Sequence, residues 1–308
     1  MPKTVGIHHI TAIVNDPQVN VDFYTKVLGL RLVKKTINFD RPEVYHLYFG
    51  NETGDPGTVI TFFPWTKLPK GRVGTGQVGV TSYLIPIGSS VFWKDRLDKH
   101  SITYTTSTRF GETYIQFHDP DGLQIELVER EEGPLSQWQT SGINVEHAIK
   151  GFAGSILYSA KPNRTVEILE EILGMEYIGE EDGYLRYQTS ASLGNTIDIK
   201  LSPSVRGLAG AGTVHHIAWR ARDEQEHHAW RDILEAQGFK PTEIKERNYF
   251  KAIYFYDPGG MLFEIATDLP GFAVDEEPSK LGEKLMLPEW LEAERTKYED
   301  ILPPIKID

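Results

Sequence analysis

Internal repetition is the feature of this sequence that most constrains its fold. Two pairs of segments resemble each other, namely residues 6–11 (GIHHIT) with 213–218 (TVHHIA), and residues 119–128 (DPDGLQIELV) with 257–266 (DPGGMLFEIA). Self-similarity of this kind is typical of a chain built from copies of one supersecondary unit. We therefore predict that residues 76–130 and 212–268 are two copies of the same unit.

Each unit is predicted to contain a strand, a helix and then two or three further strands. In the last copy, Trp230, Ile233 and Leu234 have helical spacing, and Gly238 follows them as a stop signal. The flanking segments are rich in β-forming residues, and an Asp-Pro-Gly-Gly turn separates two of them. The strands predicted for this copy are residues 214–220, 252–256 and 261–267, and its helix is predicted at 224–237.

The same order of elements recurs in residues 6–63 and 152–201, which makes four units in all. Helices are predicted around Phe23 to Leu28 in the first unit and at 165–173 in the third. The sequence thus predicts an α+β protein with two curled mixed β-sheets. The predicted organisation is an N-terminal pair of units at 1–135, a linker at 136–150, a C-terminal pair at 151–270 and a tail at 271–308.

The tail lies outside the repeats and contains a charged amphipathic helix predicted at residues 289–300. We interpret it first as a segment packed on the body of the protein. The alternative interpretation is a cover over the functional site or a contact between two copies of the chain.

Composition excludes several classes of protein. The 308 residues include no cysteine, so disulfides, thiolate catalysis and Cys-based metal sites are excluded. No apolar run approaches the ~20 residues that cross a bilayer, and the first residues lack the pattern of a signal peptide. The net charge of -12 argues against binding nucleic acid. We expect a soluble, cytoplasmic protein that binds neither nucleic acid nor membrane.

The repeats place possible metal ligands at equivalent positions. His9 and His216 belong to two predicted first strands, and Glu126 and Glu264 to two predicted last strands. A sheet built from two units can curl around a cavity and point these side chains inward. Two neutral imidazoles and a carboxylate suit a divalent first-row metal, and an open face is typical of non-haem Fe(II) oxygenases.

A comparison of the four units favours Glu264 over Glu126 as the carboxylate ligand. In the second unit the position that matches His216 is Val80, and residues 151–158 of the third unit contain no histidine. Only the first and fourth units together supply two histidines and a carboxylate. This choice requires those two units to face each other. Glu126 is interpreted as the relic of a duplicated site.

Each candidate histidine belongs to a doublet, His8-His9 or His215-His216. Neighbouring residues of a strand point to opposite faces, so one histidine of each doublet should be a ligand. The register of the repeat favours His9 and His216 but leaves His8 and His215 open. In the alternative without a metal, these histidines only form hydrogen bonds inside the wall of the sheet.

Other motifs are weaker candidates. His227 and His228 fall on a helix beside several acidic residues and are interpreted as part of its solvated face. Residues 71–76 (GRVGTG) lead into a strand and lack the Gly-Lys-Ser/Thr ending of a phosphate loop, so they are interpreted as a linker. The histidines without a partner at an equivalent repeat position are His46, His100, His118 and His147.

Taken together, these motifs resemble the vicinal oxygen chelate superfamily, which is built from βαβββ units and includes glyoxalases and extradiol dioxygenases. More narrowly, the chain is similar to the hydroquinone ring-cleaving dioxygenases, the group of dichlorohydroquinone and methylhydroquinone-resistance dioxygenases. The resemblance spans nearly the whole chain. It rests on residues 6–11, 214–218, 247–255 (RNYFKAIYF) and 262–264 (LFE), and on the tail from 281–283 to 302–303.

The resemblance implies a specific site and chemistry. Fe(II), or in some members Mn(II), would be bound by His9, His216 and Glu264, and a small aromatic substrate would react with O2. The residues implied to surround the substrate are His8, Thr11, His215, Arg247 and Tyr254. His215 or His8 could move protons near neutral pH, Tyr254 could hydrogen-bond the substrate, and Arg247 could stabilise negative charge or hold Tyr254 or Glu264 in place.

Three alternatives use the same scaffold. They are a catechol extradiol dioxygenase, a glyoxalase-like metal isomerase and a non-enzymatic protein that binds an aromatic compound. The isomerases usually have a second carboxylate on the last strand of the partner unit, and residues 58–63 (TVITFF) of the first unit contain none. The three intact ligands argue against simple sequestration. A homo-oligomer is a further expectation.

Overall fold

The computed structural model describes residues 2–140, 142–202 and 205–307 of the chain. It contains four βαβββ units in sequence, which confirms the predicted fold class. The strands of the first two units are β1 Ile7–Val14, β2 Arg31–Asn38, β3 Arg41–Gly50, β4 Val59–Pro64, β5 Gln77–Ile85, β6 Thr105–Arg109, β7 Glu112–His118 and β8 Gln124–Glu129. Those of the last two are β9 Gly151–Tyr158, β10 Glu176–Glu181, β11 Tyr184–Gln188, β12 Thr196–Lys200, β13 Thr213–Ala221, β14 Lys245–Glu246, β15 Lys251–Tyr256 and β16 Leu262–Thr267.

Each unit carries one helix between its first two strands. These helices are α1 Pro17–Asp22, α2 Ser90–Lys99, α3 Pro162–Glu167 and α4 Glu224–Ala236, and α1 and α3 continue as single π-turns at Phe23–Val27 and Ile168–Ile172. Local sequence explains the bounds of α4, because Asp223 accepts a hydrogen bond from the backbone N–H of Glu226 at its start. Gly238 then adopts a positive φ of 82° just beyond its end, a conformation that glycine adopts without strain.

The two sheets do not follow the two halves of the chain. One sheet has the strand order β14-β15-β16-β13-β1-β4-β3-β2 and joins the fourth unit to the first. The other has the order β10-β11-β12-β9-β5-β8-β7-β6 and joins the third unit to the second. The predicted segments 1–135 and 151–270 therefore do not each form a sheet of their own. We call the first sheet, which contains His9, His216 and Glu264, the metal sheet. The second, which contains Arg109, Glu126 and Asp198, is called the ion-pair sheet.

Each sheet curls with its helices packed on the outside, and apolar side chains fill the space between helix and sheet. Trp93 of α2 and Trp230 of α4 are fully buried there. His227 precedes Trp230 by three residues, so it lies on the same helical face. It is 1% exposed, and its Nε2 donates to the carbonyl oxygen of Ile265 at 2.9 Å. The prediction of a solvated face is therefore wrong for His227, whereas His228 is exposed.

The tail packs along the outer strands of the metal sheet, as its first interpretation predicted. The ammonium group of the buried Lys34 on β2 forms ion pairs with Asp275 and Glu276, and Tyr45 on β3 donates to the carbonyl oxygen of Pro303 at 3.0 Å. The helix predicted at 289–300 divides into a 3-10 segment at Glu289–Glu294 and α5 at Arg295–Ile301. Among the described residues, no helix is both long enough and apolar enough to span a bilayer.

Candidate metal centre

The centre of the metal sheet brings together His9, His216 and Glu264. β1 and β13 are antiparallel neighbours, with Thr11 opposite His216, and β16 lies beside β13 with Glu264 next to Ala218. The Nε2 atoms of the two imidazoles lie 3.3 Å apart. Oε2 of Glu264 is 2.9 Å from Nε2 of His216 and 3.5 Å from Nε2 of His9. The first unit thus lies against the fourth, as the choice of these three residues required.

All three side chains are buried, and one ligand atom from each lies within 4.8 Å of the others. Glu264 is 0% exposed, and its carboxylate lies in contact with the imidazoles of His9 and His216. Burial alone would raise the pKa of Glu264, but the neighbouring imidazoles of His9 and His216 hold it well below its ordinary value. A buried, ionised carboxylate needs a compensating positive charge beside it.

His8 sets the tautomer of His9. Nε2 of His8 lies 3.1 Å from the carbonyl oxygen of Thr267, which can only accept, so this nitrogen carries the proton. Burial lowers the pKa of His8 well below its ordinary value, which keeps the ring neutral. Its Nδ1 must then accept the hydrogen bond from Nδ1 of His9, 2.9 Å away. Nε2 of His9 is left with a lone pair that points at Glu264, which suits a metal ligand.

The second doublet repeats this contact but ends differently. Nδ1 of His215 and Nδ1 of His216 lie 2.7 Å apart, so a metal-binding lone pair on Nε2 of His216 requires its Nδ1–H to donate to His215. His215 then carries its own proton on Nε2 and lines the cavity described next. Burial and His216 lower the pKa of His215 to about 4, so the ring is neutral at pH 7. His215 therefore presents a hydrogen-bond donor to the cavity, and His8 does not.

A cavity of about 680 Å³ opens beside the three candidate ligands. Tyr254 lies opposite Glu264 across β15 and β16, and its hydroxyl accepts from Nε of Arg247 at 3.3 Å. Burial and the charge of Glu264 raise the pKa of Tyr254, so its hydroxyl stays protonated. Arg247 also forms an ion pair with Asp40, 2.9 Å away. The aromatic side chains of the cavity wall are Phe39, His46, Tyr48, Phe63, Trp65, Phe250, Tyr254 and Tyr256.

His46 is a cavity residue that sequence reasoning ranked low, because the repeats gave it no partner. Its Nε2 lies 2.8 Å from Oγ1 of Thr61, and its Nδ1 lies 2.8 Å from the hydroxyl of Tyr48. Oγ1 of Thr61 is in turn 2.7 Å from Oγ1 of Thr11. Thr11, a predicted site residue, is therefore buried at one end of a hydrogen-bonded chain that reaches the cavity wall at His46 and Tyr48.

Glu126 occupies a different environment in the ion-pair sheet. Both of its oxygens accept from the guanidinium of Arg109, at 3.0 and 2.6 Å, and Ser82 and Gln116 donate to it as well. Nε of Arg109 also donates to Asp198 at 2.7 Å. The space left around these groups is about 10 Å³. Glu126 is thus fully hydrogen-bonded, which agrees with its interpretation as the relic of a duplicated site.

The predicted linker at 71–76 joins the sheets. Short β-bridges connect Arg72 with Leu208 and Thr75 with Arg206. It forms part of no phosphate loop, because it leads directly into β5 rather than into a helix.

The sequence also matches the model of a known protein family. The model of the Glyoxalase/Bleomycin resistance protein/Dioxygenase superfamily matches residues 6–127 and 149–265. Since the matched segments make up most of the chain, the protein belongs to this superfamily, as the sequence motifs indicated.

Relatives within the superfamily define the class more narrowly. A Bacillus subtilis (strain 168) protein named as a candidate ring-cleaving dioxygenase, MhqO, is 54% identical over 305 residues, covering 99% of this chain and 98% of its own. The chlorohydroquinone/hydroquinone 1,2-dioxygenase of Sphingobium indicum is 36% identical over 307 residues, covering 95% of this chain and 94% of its own. The chain is accordingly an enzyme of the ring-cleaving dioxygenase type.

Solved structures agree with this assignment. The crystal structure of a candidate dioxygenase from Bacillus subtilis (strain 168) is 53% identical, has a TM-score of 0.99 and covers 100% of this chain and 99% of its own. Glyoxalase I from Zea mays, at 16% identity, has a TM-score of 0.62 over 85% of this chain and 92% of its own, a likeness of fold alone.

Proposed function

We propose that this enzyme uses Fe(II) and O2 to open the ring of substituted hydroquinones, in aromatic degradation or quinone detoxification in the cytoplasm. The observation that carries the proposal is the arrangement of His9, His216 and Glu264, whose ligand atoms converge beside a cavity with an aromatic wall. Two histidines and one carboxylate with an open side are typical of non-haem Fe(II) oxygenases. The relative named chlorohydroquinone/hydroquinone 1,2-dioxygenase supports the choice of substrate class.

The size and lining of the cavity suit a small ring. A volume of about 680 Å³ lies within the range of sites for small molecules and accommodates one substituted benzene ring with room to spare. Aromatic side chains such as Phe63 and Phe250 can contact the faces and edges of such a ring. Arg247, Tyr254 and His215 can donate hydrogen bonds to its oxygens.

His9, His216 and Glu264 would hold the iron, which when bound would activate O2 and the substrate oxygen. The protein side chains would orient the ring and manage protons. Nε2–H of His215 would donate to an oxygen that gains negative charge, and the guanidinium of Arg247 would stabilise that charge through Tyr254 or directly. His8 would act only through His9, by holding its tautomer.

Reconstitution under anaerobic conditions tests the proposal. The purified protein is loaded with Fe(II), with Mn(II) in a parallel sample, and mixed with methylhydroquinone or chlorohydroquinone in oxygenated buffer. We expect one O2 to be consumed per ring opened, measured by an oxygen electrode and by mass spectrometry of the product. Consumption of O2 with catechol but with no hydroquinone would contradict the substrate class and favour the extradiol alternative.

A further inference from the structure

Arg109 and Arg247 occupy equivalent positions in the second and fourth units. Each stands seven residues before the side chain that lies opposite the carboxylate of its unit's last strand. The opposite pairs are Gln116 with Glu126 in the second unit and Tyr254 with Glu264 in the fourth. Since the two units share this backbone pattern, Arg247 should be able to reach the carboxylate of its own unit, as Arg109 does.

The two arginines nevertheless take different partners. Arg109 donates to both oxygens of Glu126, at 3.0 and 2.6 Å, and to Asp198 on another strand of the same sheet at 2.7 Å. Nη2 of Arg247 instead donates to Asp40 at 2.9 Å. The acid that engages Arg109 besides Glu126 thus lies within the sheet, whereas the acid that engages Arg247 lies in a turn.

The ion pair between Asp40 and Arg247 joins the two edges of the metal sheet. Asp40 stands in the turn between β2 and β3, and Arg247 directly follows β14. β2 and β14 are the two ends of the strand order of this sheet. Both residues line the cavity beside the candidate ligands. The ion pair therefore lies at the rim of the cavity, where the curled sheet nearly closes on itself.

The turn that carries Asp40 is fixed by local contacts. Oδ1 of Asn38 accepts from the backbone N–H groups of Asp40 and Arg41, at 2.9 and 3.1 Å. The ring of Phe39 packs edge-on against Trp290 of the tail, with the ring centroids 5.8 Å apart. The carboxylate of Asp40 is thus held at the rim although its side chain is 63% exposed.

Arg247 has a choice of carboxylates. Its guanidinium is always charged, and its side chain is only 16% exposed, so it needs an acidic partner. Tyr254, whose hydroxyl accepts from Nε of Arg247 at 3.3 Å, lies opposite Glu264. A guanidinium that turned from Asp40 to Glu264 would neutralise that buried carboxylate and compete with a metal ion for it.

We propose that Asp40 is a positioning residue, which holds Arg247 at the rim of the cavity and so keeps Glu264 available to a divalent metal ion. This inference rests on the metal centre proposed above. Without Asp40, Arg247 turns to Glu264 and forms the pair that Arg109 forms with Glu126. An exposed acid in a turn thereby keeps a buried carboxylate free.

Calorimetric titration of the metal-free chain with Mn²⁺ tests the proposal without enzyme activity. We expect Asp40→Ala to lower Mn²⁺ affinity about three- to fivefold, at the upper end of what exposed ion pairs provide. Asp40→Glu can form the ion pair again and should retain the affinity. The matched control is Glu43→Ala, which removes another exposed carboxylate from β3 and should also retain it. Because Asp40 is exposed, its variants should fold. Unchanged Mn²⁺ affinity in Asp40→Ala would overturn the proposal.

A double variant shows whether Asp40 acts through Arg247. In an Arg247→Met background no guanidinium competes for Glu264, so adding Asp40→Ala should leave Mn²⁺ affinity unchanged. An equal fall in both backgrounds would mean that Asp40 acts only through its charge at a distance, and would overturn the proposal.

A crystal structure of metal-free Asp40→Ala gives the direct measurement. We expect the guanidinium of Arg247 to donate to the carboxylate of Glu264 at about 2.6–3.0 Å, the distances that Arg109 keeps to Glu126. Arg247 at the rim in this variant would contradict the proposal. Neither measurement depends on the oxidation of hydroquinones. A wild-type chain without affinity for Mn²⁺ would overturn the metal centre and this inference together, whereas failure of the Asp40 variants alone overturns only the inference.

Discussion

The two sheets are built from the same unit, yet one contains a candidate metal centre and the other pairs its buried carboxylates with an arginine. In the metal sheet His9 matches His216, and Thr61, which pairs with Thr11, matches Glu264, which pairs with Ala218. In the ion-pair sheet the matching residues are Gly154, Val80, Asp198 and Glu126. The second set keeps two carboxylates but has no imidazole, and Arg109 lies between the carboxylates.

This difference shows two ways in which the same unit accommodates a buried carboxylate. A buried carboxylate requires a positive partner, and Arg109 supplies one permanently with hydrogen bonds to Glu126 and Asp198. Arg247 precedes Asp257 at the same distance at which Arg109 precedes Asp119, so it is the counterpart by position. It contacts Tyr254 and Asp40 instead of the carboxylate of Glu264. The different contacts of the two arginines therefore distinguish the ion pair from the candidate metal centre.

Steric crowding also prevents a side chain like that of His9 in the ion-pair sheet. A Cβ atom on Gly154 would lie 1.8 Å from the carbonyl oxygen of Thr196, so the position that matches His9 cannot accept a side chain without moving β12. The cavity of the ion-pair sheet is correspondingly small, about 10 Å³, against about 680 Å³ in the metal sheet.

The largest effect should come from removing a candidate ligand. We expect Glu264→Gln or His216→Ala to weaken metal binding at least about 100-fold, more than the usual cost of losing a supporting contact, and to abolish O2 uptake. Metal content after dialysis and an oxygen electrode measure both. The matched control is Glu126→Gln, which should retain the metal. A His216→Ala protein with full metal content would show that the site lies elsewhere.

In the ion-pair sheet, removing the shared cation should reduce stability rather than metal binding. Arg109→Met would leave Glu126 and Asp198 buried without their shared cation, so we expect the free energy of unfolding to fall by about 3–5 kcal/mol. Metal affinity of the folded fraction should stay unchanged. Urea denaturation measures the loss, and Arg109→Lys should recover only part of it, since lysine cannot donate to both carboxylates in the same planar geometry. Equal loss of metal and stability would mean that the two sheets are not independent.

The two histidine doublets should differ in a smaller way. His8→Ala removes the acceptor that fixes the tautomer of His9, so metal affinity should fall about 10–100-fold. His215→Ala should reduce kcat more than it reduces metal affinity, because its outer nitrogen faces the cavity. Calorimetry and steady-state kinetics separate the two, with the exposed His100→Ala as the control. A purely kinetic effect of His8→Ala would reverse these roles.

As the pH is lowered, the metal sheet should lose stability before the ion-pair sheet does. The pKa of His215 falls from an ordinary value of 6.5 to about 4, chiefly through burial, so the unfolded chain takes up this proton first. Its stabilising contribution is complete above about pH 6.5 and declines towards pH 4. Metal binding should also weaken as the pH falls, because ligands must be deprotonated.

Glu112 of the ion-pair sheet behaves differently. Burial would raise its pKa, but hydrogen bonds from Arg130, Tyr114 and Arg186 lower it from 4.5 to about 2. Its contribution is therefore present above about pH 4.5 and lost only as the pH falls towards 2. Hydrogen exchange of peptides from β13 and β7 at several pH values shows which sheet loses its protection first. Simultaneous opening of both would contradict the expected difference.

Much of the candidate site could be predicted because repetition exposes equivalent positions. His9, His216, Glu264 and the relic Glu126 were all found by aligning one unit with another, and Val80 distinguished the two carboxylates. His46 and Thr61 could not be found in this way. Their neighbours in the site come from adjacent strands, and residues 46, 61 and 11 meet only after three strands have paired.

The prediction for the histidines on α4 was wrong for a different reason. Acidic neighbours suggested a solvated face, yet the spacing of His227 from Trp230 and Leu234 already placed it on the buried side. A helical projection of those three residues would have corrected the prediction.

By itself, the sequence determined the four units, their strand and helix order, and which residue types stand at equivalent positions, because these depend on local periodicity and on repetition. Only the tertiary structure decided that the first unit pairs with the fourth and the second with the third, because strand pairing is set by packing between distant segments. That pairing places two imidazoles beside a carboxylate in one sheet and an arginine between two carboxylates in the other. The charge that each buried carboxylate meets follows from which strands become neighbours.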